Sequence, residues 1–510
     1  MRASQYPDRP ALIVKDGVYT WKDIDSIANY ICVEMQERGV KEGDHVGIIG
    51  INSDSWLFHY FAAVKLGAVA VLFNTRFTPA EIERGIGITD LKHFFYSRNN
   101  EHKSYEDIMA NLLYPKTPVR HCVDMEKSFE QWKAIADENK DVKFPSSTDY
   151  NAVTNVLFTS GTTGNSKGVQ LTHYNLLNNS LAMTLNMGWN ENDIMNIAVP
   201  LFHTFGITGC VLAMMHVCGQ MYLLQSTRTV DKCHAIEKYK CTVMSGVPTM
   251  FLAMLRNEHR KEYDISSVKS GIIAGSQIFP QDYLDICKMS DGINLQPSYG
   301  QTETSPCISI CRLDDPIEIK ATTVGRPIDG VSVRIVRKGD TVPCGCNVEG
   351  EIQVQGYNVM AGYISNIEAT KETFTEDGWL KTGDLGYIRE DGNLVITGRV
   401  KNLIIRGGEN ISPVEIETAI KSIIGSKYEV KVFGVPTVVL QEDIVACIEI
   451  DGNPDLAQEI KDKLRGQISD YKIPSYIFFM DEMPKNSTGK VSEKMLKNKI
   501  IADLSMMKGK

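Results

Sequence analysis

Phe158-Thr159-Ser160-Gly161-Thr162-Thr163-Gly164-Asn165-Ser166-Lys167-Gly168 packs three glycines, five hydroxyl side chains and one lysine into eleven residues. An apolar, β-rich run from Ala152 to Phe158 leads into it and Val169-Gln170-Leu171 leads out. Thr172 then stands where it can cap a helix carrying Leu176, Leu177 and Leu181. Glycines let a backbone turn its N–H groups inward, hydroxyls donate further hydrogen bonds, and Lys167 adds a positive charge. Together these are the chemistry of a loop closing over phosphate oxygens. A Walker A loop is excluded, because that pattern ends Gly-Lys-Ser/Thr, whereas here Ser166 precedes Lys167 and Gly168 follows it. Glycine content alone describes many surface loops, so the order of residues carries the information.

That order, Thr-Ser-Gly-Thr-Thr-Gly-x-x-Lys-Gly over Thr159 to Gly168, resembles the phosphate-loop signature of the acyl-adenylate-forming superfamily. Acyl-CoA synthetases, peptide-synthetase adenylation domains and luciferases belong to it. The bulk properties agree with an enzyme of that kind. At 510 residues the chain is too long for one ordinary core. It is 43% hydrophobic and 23% charged, as globular proteins are. A net charge of −9 argues against non-specific nucleic-acid binding. The twelve cysteines form no CxxC pair, and Cys344-Gly345-Cys346 lacks the further ligands of a zinc site. The most apolar stretch, Phe58 to Phe73, is broken by Lys65 and Gly67, so no membrane span is expected. Reduced cysteines and no secretory leader or peroxisomal tripeptide make a cytoplasmic protein the expectation.

Outward from the loop, the chain reads as alternating strands and helices. Ala11 to Trp21 reads as a hairpin turning at Asp16-Gly17, with a helix starting at Asp23. His45 to Gly50, a helix through Trp56 to Leu66, and Val69 to Phe73 form a βαβ unit and hence a parallel sheet. Val247-Pro248-Thr249 and Ile272 to Ser276 read as later strand ends of the same sheet, where such sheets bind ligands. Residues 100 to 150 give no clear pattern. Leu403-Ile404-Ile405, the turn Arg406 to Asn410, and Ser412-Pro413-Val414-Glu415 read as strand, glycine turn and a capping box with proline at the first helical position. A fresh strand, turn and helix this close to the end signal a small separate α+β domain.

Five further motifs in family order extend the resemblance. Tyr299-Gly300-Gln301-Thr302-Glu303 matches the family's adenine and magnesium motif, although Pro297-Ser298 precedes it where some CoA ligases have other residues. By that resemblance Tyr299 stacks on adenine, Thr302 contacts the α-phosphate, and Glu303 is a hard oxygen ligand for Mg²⁺. Val199 to Gly206 matches the acyl-pocket motif, which places His203 beside the substrate carboxylate. A histidine of this kind is ordinarily a satisfied loop residue, and only the company of the other motifs raises it. Asp384, in Gly378 to Asp384, resembles the ribose aspartate, with Arg399 as its partner. Gly407 and Gly408 match the turn that contacts the CoA pantetheine. Lys490, in Pro484-Lys485-Asn486-Ser487-Thr488-Gly489-Lys490, matches the adenylation lysine.

The resemblance implies an α/β fold, with a large N-terminal domain of layered sheets and helices over 1–400. It implies a small mobile α+β domain over 401–510, hinged near Lys401. It implies ATP, Mg²⁺ and coenzyme A, with Ser160, Gly161, Thr162, Thr163 and Gly164 completing the phosphate loop. The expected activity is acid–thiol ligation: a fatty or aryl carboxylic acid becomes an acyl-adenylate, then a CoA thioester, with AMP and pyrophosphate released. A stand-alone enzyme loading an acyl carrier protein is the alternative. A homodimer is left open.

Overall fold

The computed structural model describes residues 2–15, 17–100, 103–113, 116–127, 149–159, 167–226, 228–337, 339–406, 409–437, 441–451, 454–465, 467–468, 470–485 and 491–508. The chain divides into two compact units. The first comprises Met1–Gln277, Leu284–Val333 and Val354–Leu380, and the second Ile278–Tyr283, Arg334–Gln353 and Lys381–Lys510. The architecture is α/β, as the alternation of strand and helix patterns implies.

Two large sheets and a two-stranded ribbon, Asn99–Asn100 with Lys103–Ser104, lie in the first unit. The nine-stranded one carries Ile194–Ile197, Val243–Met244, Ser270–Ile273 and Asn294–Gly300 as parallel neighbours. The N-terminal hairpin, Pro10–Val14 and Gly17–Thr20, lies at its other end. Trp21 is not the last strand residue: it opens the helix Trp21–Glu37, two positions before Asp23. The reason is local. Thr20 caps the helix, accepting the Asp23 N–H at 3.1 Å while its own N–H donates to the Asp23 carboxylate at 2.8 Å.

The seven-stranded sheet holds the expected βαβ unit. His45–Ile49 and Val69–Phe73 pair in parallel, and Val69–Phe73 pairs in parallel with Val153–Thr159, the strand that leads into the glycine loop. The later strand ends are expected in the sheet of the βαβ unit; Val243–Met244 and Ser270–Ile273 lie in the nine-stranded sheet instead, because a short apolar run does not reveal which of the layered sheets its strand joins. Val247-Pro248-Thr249 is also corrected. The strand ends at Met244, Val247 is the N-cap, and Pro248 takes the first position of the helix Pro248–Arg256.

A buried polar joint ties the helix His173–Met187 to what lies beside it. Thr172 caps this helix as read from sequence, with Asn175 completing the capping box. The Asn175 amide also donates to the carbonyls of Tyr357 and Val359, at 2.6 and 3.0 Å. One turn later, the fully buried Asn179 donates to the Cys307 carbonyl at 2.8 Å and accepts the Cys307 N–H at 3.1 Å. Asn358 donates to the same carbonyl at 2.9 Å, and the Ser305 hydroxyl donates to the Asn358 carbonyl at 2.8 Å.

In the second unit, Ile404–Arg406 and Glu409–Ile411 form a hairpin at the edge of a sheet completed by Val430–Thr437, Gln441–Glu449 and Tyr476–Met480. Its core gathers Ile404, Ile411, Ile416, Ile420 and Ile444. Proline occupies the first turn of the helix Pro413–Ile424 as expected, but the capping box does not form. The Ser412 hydroxyl donates instead to the Thr397 carbonyl at 2.6 Å, and Glu415 pairs with Lys472 at 2.7 Å. A nonlocal carbonyl outbid the local N–H groups. No helix among the described residues is long and apolar enough to cross a membrane.

The polar joint generates a stability prediction. Asn179→Ala leaves the buried Cys307 N–H without an acceptor, which costs about 1–3 kcal/mol. Differential scanning calorimetry should show the melting temperature falling, whereas Asn178→Ala, a half-buried neighbour whose amide bonds the Tyr174 carbonyl of its own helix at an exposed position, should leave it within error.

Candidate active site

Parallel pairing puts the carboxyl ends of four strands on one edge of the nine-stranded sheet. His203 follows Ile194–Ile197, Val247 follows Val243–Met244, Ala274 to Ser276 follow Ser270–Ile273, and Tyr299 and Gly300 end Asn294–Gly300. Sequence motifs scattered over a hundred residues therefore issue from one rim. His203 itself is exposed; it precedes a short helical turn, and its ring lies 4.7 Å from that of Phe202. The glycine of this motif has a steric cause. A Cβ on Gly206 would sit 2.2 Å from the Pro200 carbonyl oxygen, so only glycine lets the turn fold back on the preceding loop. On the same rim the space beside Gly246 is filled: a Cβ there would meet the Met250 methyl at 1.8 Å.

In the seven-stranded sheet the glycine loop joins two antiparallel strands. Thr159, the last residue of Val153–Thr159, faces Lys167, the first of Lys167–Thr172. Phe158 anchors the base, its ring 5.0 Å from Phe73 in the core. Both loop ends are thus held by sheet pairing and aromatic packing. Ser160, Gly161, Thr162, Thr163 and Gly164 lie outside the described residues.

The Tyr299–Glu303 motif ends a strand and turns sharply. Tyr299 and Gly300 pair with Ser309 and Cys307 of the next strand, and a Cβ on Gly300 would lie 1.7 Å from the Pro306 carbonyl oxygen. Glycine is obligatory there. Gln301 caps the turn Thr302–Thr304, its N–H donating to the Thr304 hydroxyl at 3.1 Å. Glu303, half-buried in this turn, accepts a hydrogen bond on Oε1 from the Tyr363 hydroxyl at 2.8 Å. The Lys167 ammonium lies 4.6 Å from the centroid of the same tyrosine ring. Burial, and then the Glu303 charge, push the Tyr363 phenol well above its ordinary range, so it stays a protonated donor. Lys167 and Glu303, read from sequence as parts of separate motifs, therefore share one side chain.

Sequence reasoning missed Tyr363. It sits in a two-residue strand, Gly362–Tyr363, which pairs with Val169 and Gln170 just past the glycine loop. Nothing in its own neighbourhood marks it, because its partners are distant in sequence.

In the second unit, Asp384 and Arg399 face each other across an antiparallel hairpin, with Arg399 Nε 2.9 Å from the carboxylate. Asp384 is buried, and its N–H donates to the Thr382 hydroxyl, which in turn donates to the Ile352 carbonyl at 2.7 Å. Gly407, Gly408 and Lys490 lie outside the described residues. Their flanks are firmly tied. Arg406 donates to the Tyr471 carbonyl at 2.7 Å and the Ser475 hydroxyl at 3.2 Å, and pairs with Asp443 at 3.4 Å. Lys485 and Val491 form an antiparallel bridge across the base of the loop that contains Lys490.

The donor set tests the magnesium expectation. Among the described residues no three His, Cys, Asp or Glu side chains converge to hold an ion. One half-buried carboxylate fits Mg²⁺, which keeps its waters and binds through one or two carboxylates plus substrate phosphates.

The family model described as AMP-binding enzyme matches residues 1–364, and the AMP-binding enzyme C-terminal domain matches residues 415–490. The chain belongs to the AMP-binding enzyme family, and within it to the adenylate-forming acyl-CoA synthetases. It is 34% identical to YngI of Bacillus subtilis (strain 168), whose name assigns it provisionally to the acyl-CoA synthetases, over 98% of this chain and 95% of that one. It is 31% identical to the mitochondrial medium-chain acyl-CoA ligase ACSF2 of Danio rerio, over 98% and 87%. Among solved structures, O-succinylbenzoate CoA synthetase of Bacillus subtilis, in complex with ATP and magnesium, superposes with a TM-score of 0.84 at 28% identity, covering 97% of this chain and 98% of that one.

The hairpin pair is directly testable. Arg399 is largely exposed, so solvent screens the pair and Arg399→Ala should destabilise by only about 1 kcal/mol. Hydrogen exchange should quicken at the amides of 384–388 and 394–399 and stay unchanged in the first unit.

Proposed function

We propose that the chain activates a fatty or aryl carboxylic acid with ATP and passes the acyl group to coenzyme A. In the first step a carboxylate oxygen attacks the α-phosphorus and the bond to pyrophosphate breaks. In the second, the CoA sulfur attacks the acyl carbonyl, the carbon–oxygen bond to AMP breaks, and the thiol proton is lost. The meeting of Lys167 and Glu303 on Tyr363 is the observation that carries this reading. It joins a cation suited to phosphate to a carboxylate suited to Mg²⁺ in one place. The names of the relatives support the CoA acceptor over a carrier protein.

A carboxylate is ionised at neutral pH, so the first step needs no general base. Its difficulty is an anion approaching a polyphosphate anion, and the remedy is positioning and charge neutralisation. On this reading Thr159 to Gly164 and Lys167 hold the β- and γ-phosphates. Tyr299, Gly300, Gln301 and Thr302 line the adenine and α-phosphate, and Asp384 with Arg399 holds the ribose. Lys490 neutralises charge at the α-phosphate, and His203 borders the substrate carboxylate. Mg²⁺, when bound with the nucleotide, supplies Lewis-acid charge stabilisation, and Glu303 is its protein ligand. For the second step the domain over 401–510 turns about Lys401, withdrawing Lys490 and bringing in Gly407 and Gly408, a hinge motion of a common kind.

Met250 beside Gly246 bears on the acid used. A methionine is unbranched and readily repacked, so this filled space admits an acyl group when the side chain rotates away. The cysteines support a cytoplasmic enzyme: all twelve are free thiols, and burial pushes Cys210 and Cys307 up to about 12.

Two experiments check this. Pyrophosphate release should depend on the acid across a panel of short, medium, long and aromatic acids, with acyl-CoA accumulating only when CoA is present. Lys490→Ala should cut that release by about 10²-fold or more while sparing thioester formation from a preformed acyl-adenylate. Release without any acyl-CoA would transfer the second step to a carrier protein; no release with any acid would overturn the activity. Met250→Ala should shift the preferred acid to a longer or bulkier one, read as a change of more than about ten-fold in the ratio of kcat/KM values, the size expected for a few methylenes.

A further inference from the structure

The segment Met360–Ile364 is bonded to two motifs at once. Its Met360 N–H donates to the Glu303 carbonyl at 2.9 Å. The Ala361 N–H donates to the Gln170 carbonyl at 3.0 Å, and the Ile364 N–H to the Gly168 carbonyl at 2.8 Å. The segment thus runs as a strap from the metal-carboxylate turn to the strand that leaves the glycine loop. Its backbone is fixed a third time, where the Tyr363 N–H donates to the Thr370 hydroxyl at 2.9 Å.

Tyr363 is the side chain this strap delivers. Sheet register places it opposite Val169. Lys167 lies two residues earlier on that strand, hence on the same face and diagonally adjacent. The ring accordingly reaches the Lys167 ammonium and the hydroxyl reaches Glu303 Oε1. The two contacts do different work. A hydroxyl on one oxygen orients the carboxylate and occupies one of its roughly four acceptor positions. A ring under an ammonium holds the charge in place without neutralising it, since an aromatic face attracts a cation yet carries no net charge.

We propose that Tyr363 is a positioning residue that presets Glu303 for a nucleotide-bound divalent cation and Lys167 for the phosphates. This rests on the nucleotide reading of the site. Tyr363 touches neither reacting atom; it acts through the two groups it holds. Its hydroxyl governs the cation and its ring governs the lysine, so the two functions separate by substitution. Tyr363→Phe removes the first and keeps the second, while Tyr363→Leu removes both.

The test uses the full-length chain with Mn²⁺ as the cation and a non-hydrolysable α,β-methylene analogue of ATP. Free Mn²⁺ is followed by electron paramagnetic resonance, and analogue binding in EDTA by calorimetry. Tyr363→Phe should weaken Mn²⁺ binding in the presence of the analogue by about ten-fold, as expected for losing a hydrogen bond to a charged group. Its metal-free analogue affinity should stay within two-fold of wild type. Tyr363→Leu should weaken both. Thermal melting of Tyr363→Phe within about two degrees of wild type shows that it folds, and a purely structural role would not split metal from nucleotide affinity. Wild-type Mn²⁺ affinity in a folded Tyr363→Phe overturns the positioning role and leaves the nucleotide reading standing. Failure of the wild-type protein to bind the analogue at all overturns both.

Discussion

Backbone groups buried in the first unit must find partners where water does not reach, and Asn179 meets that demand at Cys307. One carboxamide supplies a donor and an acceptor in the geometry of a paired strand, so the helix His173–Met187 substitutes for a neighbouring β-strand. Cys307 follows the tight turn around Gly300 and Pro306. Holding Cys307 therefore holds the turn, and holding the turn aims Glu303. Asn358 and Ser305 extend the joint to the strap that carries Tyr363. A polar network of this kind is costly when incomplete and rigid when satisfied. Rigidity is what electrostatic catalysis requires, because groups that must reorganise during reaction lose much of their effect.

Sequence legibility followed locality. The strand leading into the glycine loop is marked within a few residues by its apolar, β-rich run, and it was readable. Thr172 could be read as a cap because its partner Asn175 is three residues away. Ser412 could not, because its hydroxyl turns to Thr397, which no local pattern announces. The later strand ends were assigned to the sheet of the βαβ unit for a related reason: short apolar strands look alike whichever sheet they join. Tyr363 was invisible because the pairing that places it, with Val169, joins residues 194 positions apart (363 − 169). Asn175 and Asn179 belong with it, since polar residues inside a helix read as ordinary surface positions until their carbonyl partners are known.

The second unit shows the complementary case. A small separate α+β domain was legible from the strand, glycine turn and proline-led helix start over Leu403 to Glu415, and the family resemblance pointed to the Gly407-Gly408 turn and Lys490. The described flanks are anchored by Arg406 on one side and the Lys485–Val491 bridge on the other.

Glu303 stands without a cage of acidic neighbours among the described residues. If Glu303 is the metal carboxylate, as proposed above, the protein does not own a metal centre; it offers one carboxylate to an ion that the nucleotide brings. Cation and nucleotide affinities are then thermodynamically linked, each raising the other by the same factor. The enzyme accordingly responds to the supply of the magnesium–nucleotide salt rather than to free magnesium, and chelators act on it as competitors for substrate rather than as agents that strip a structural part.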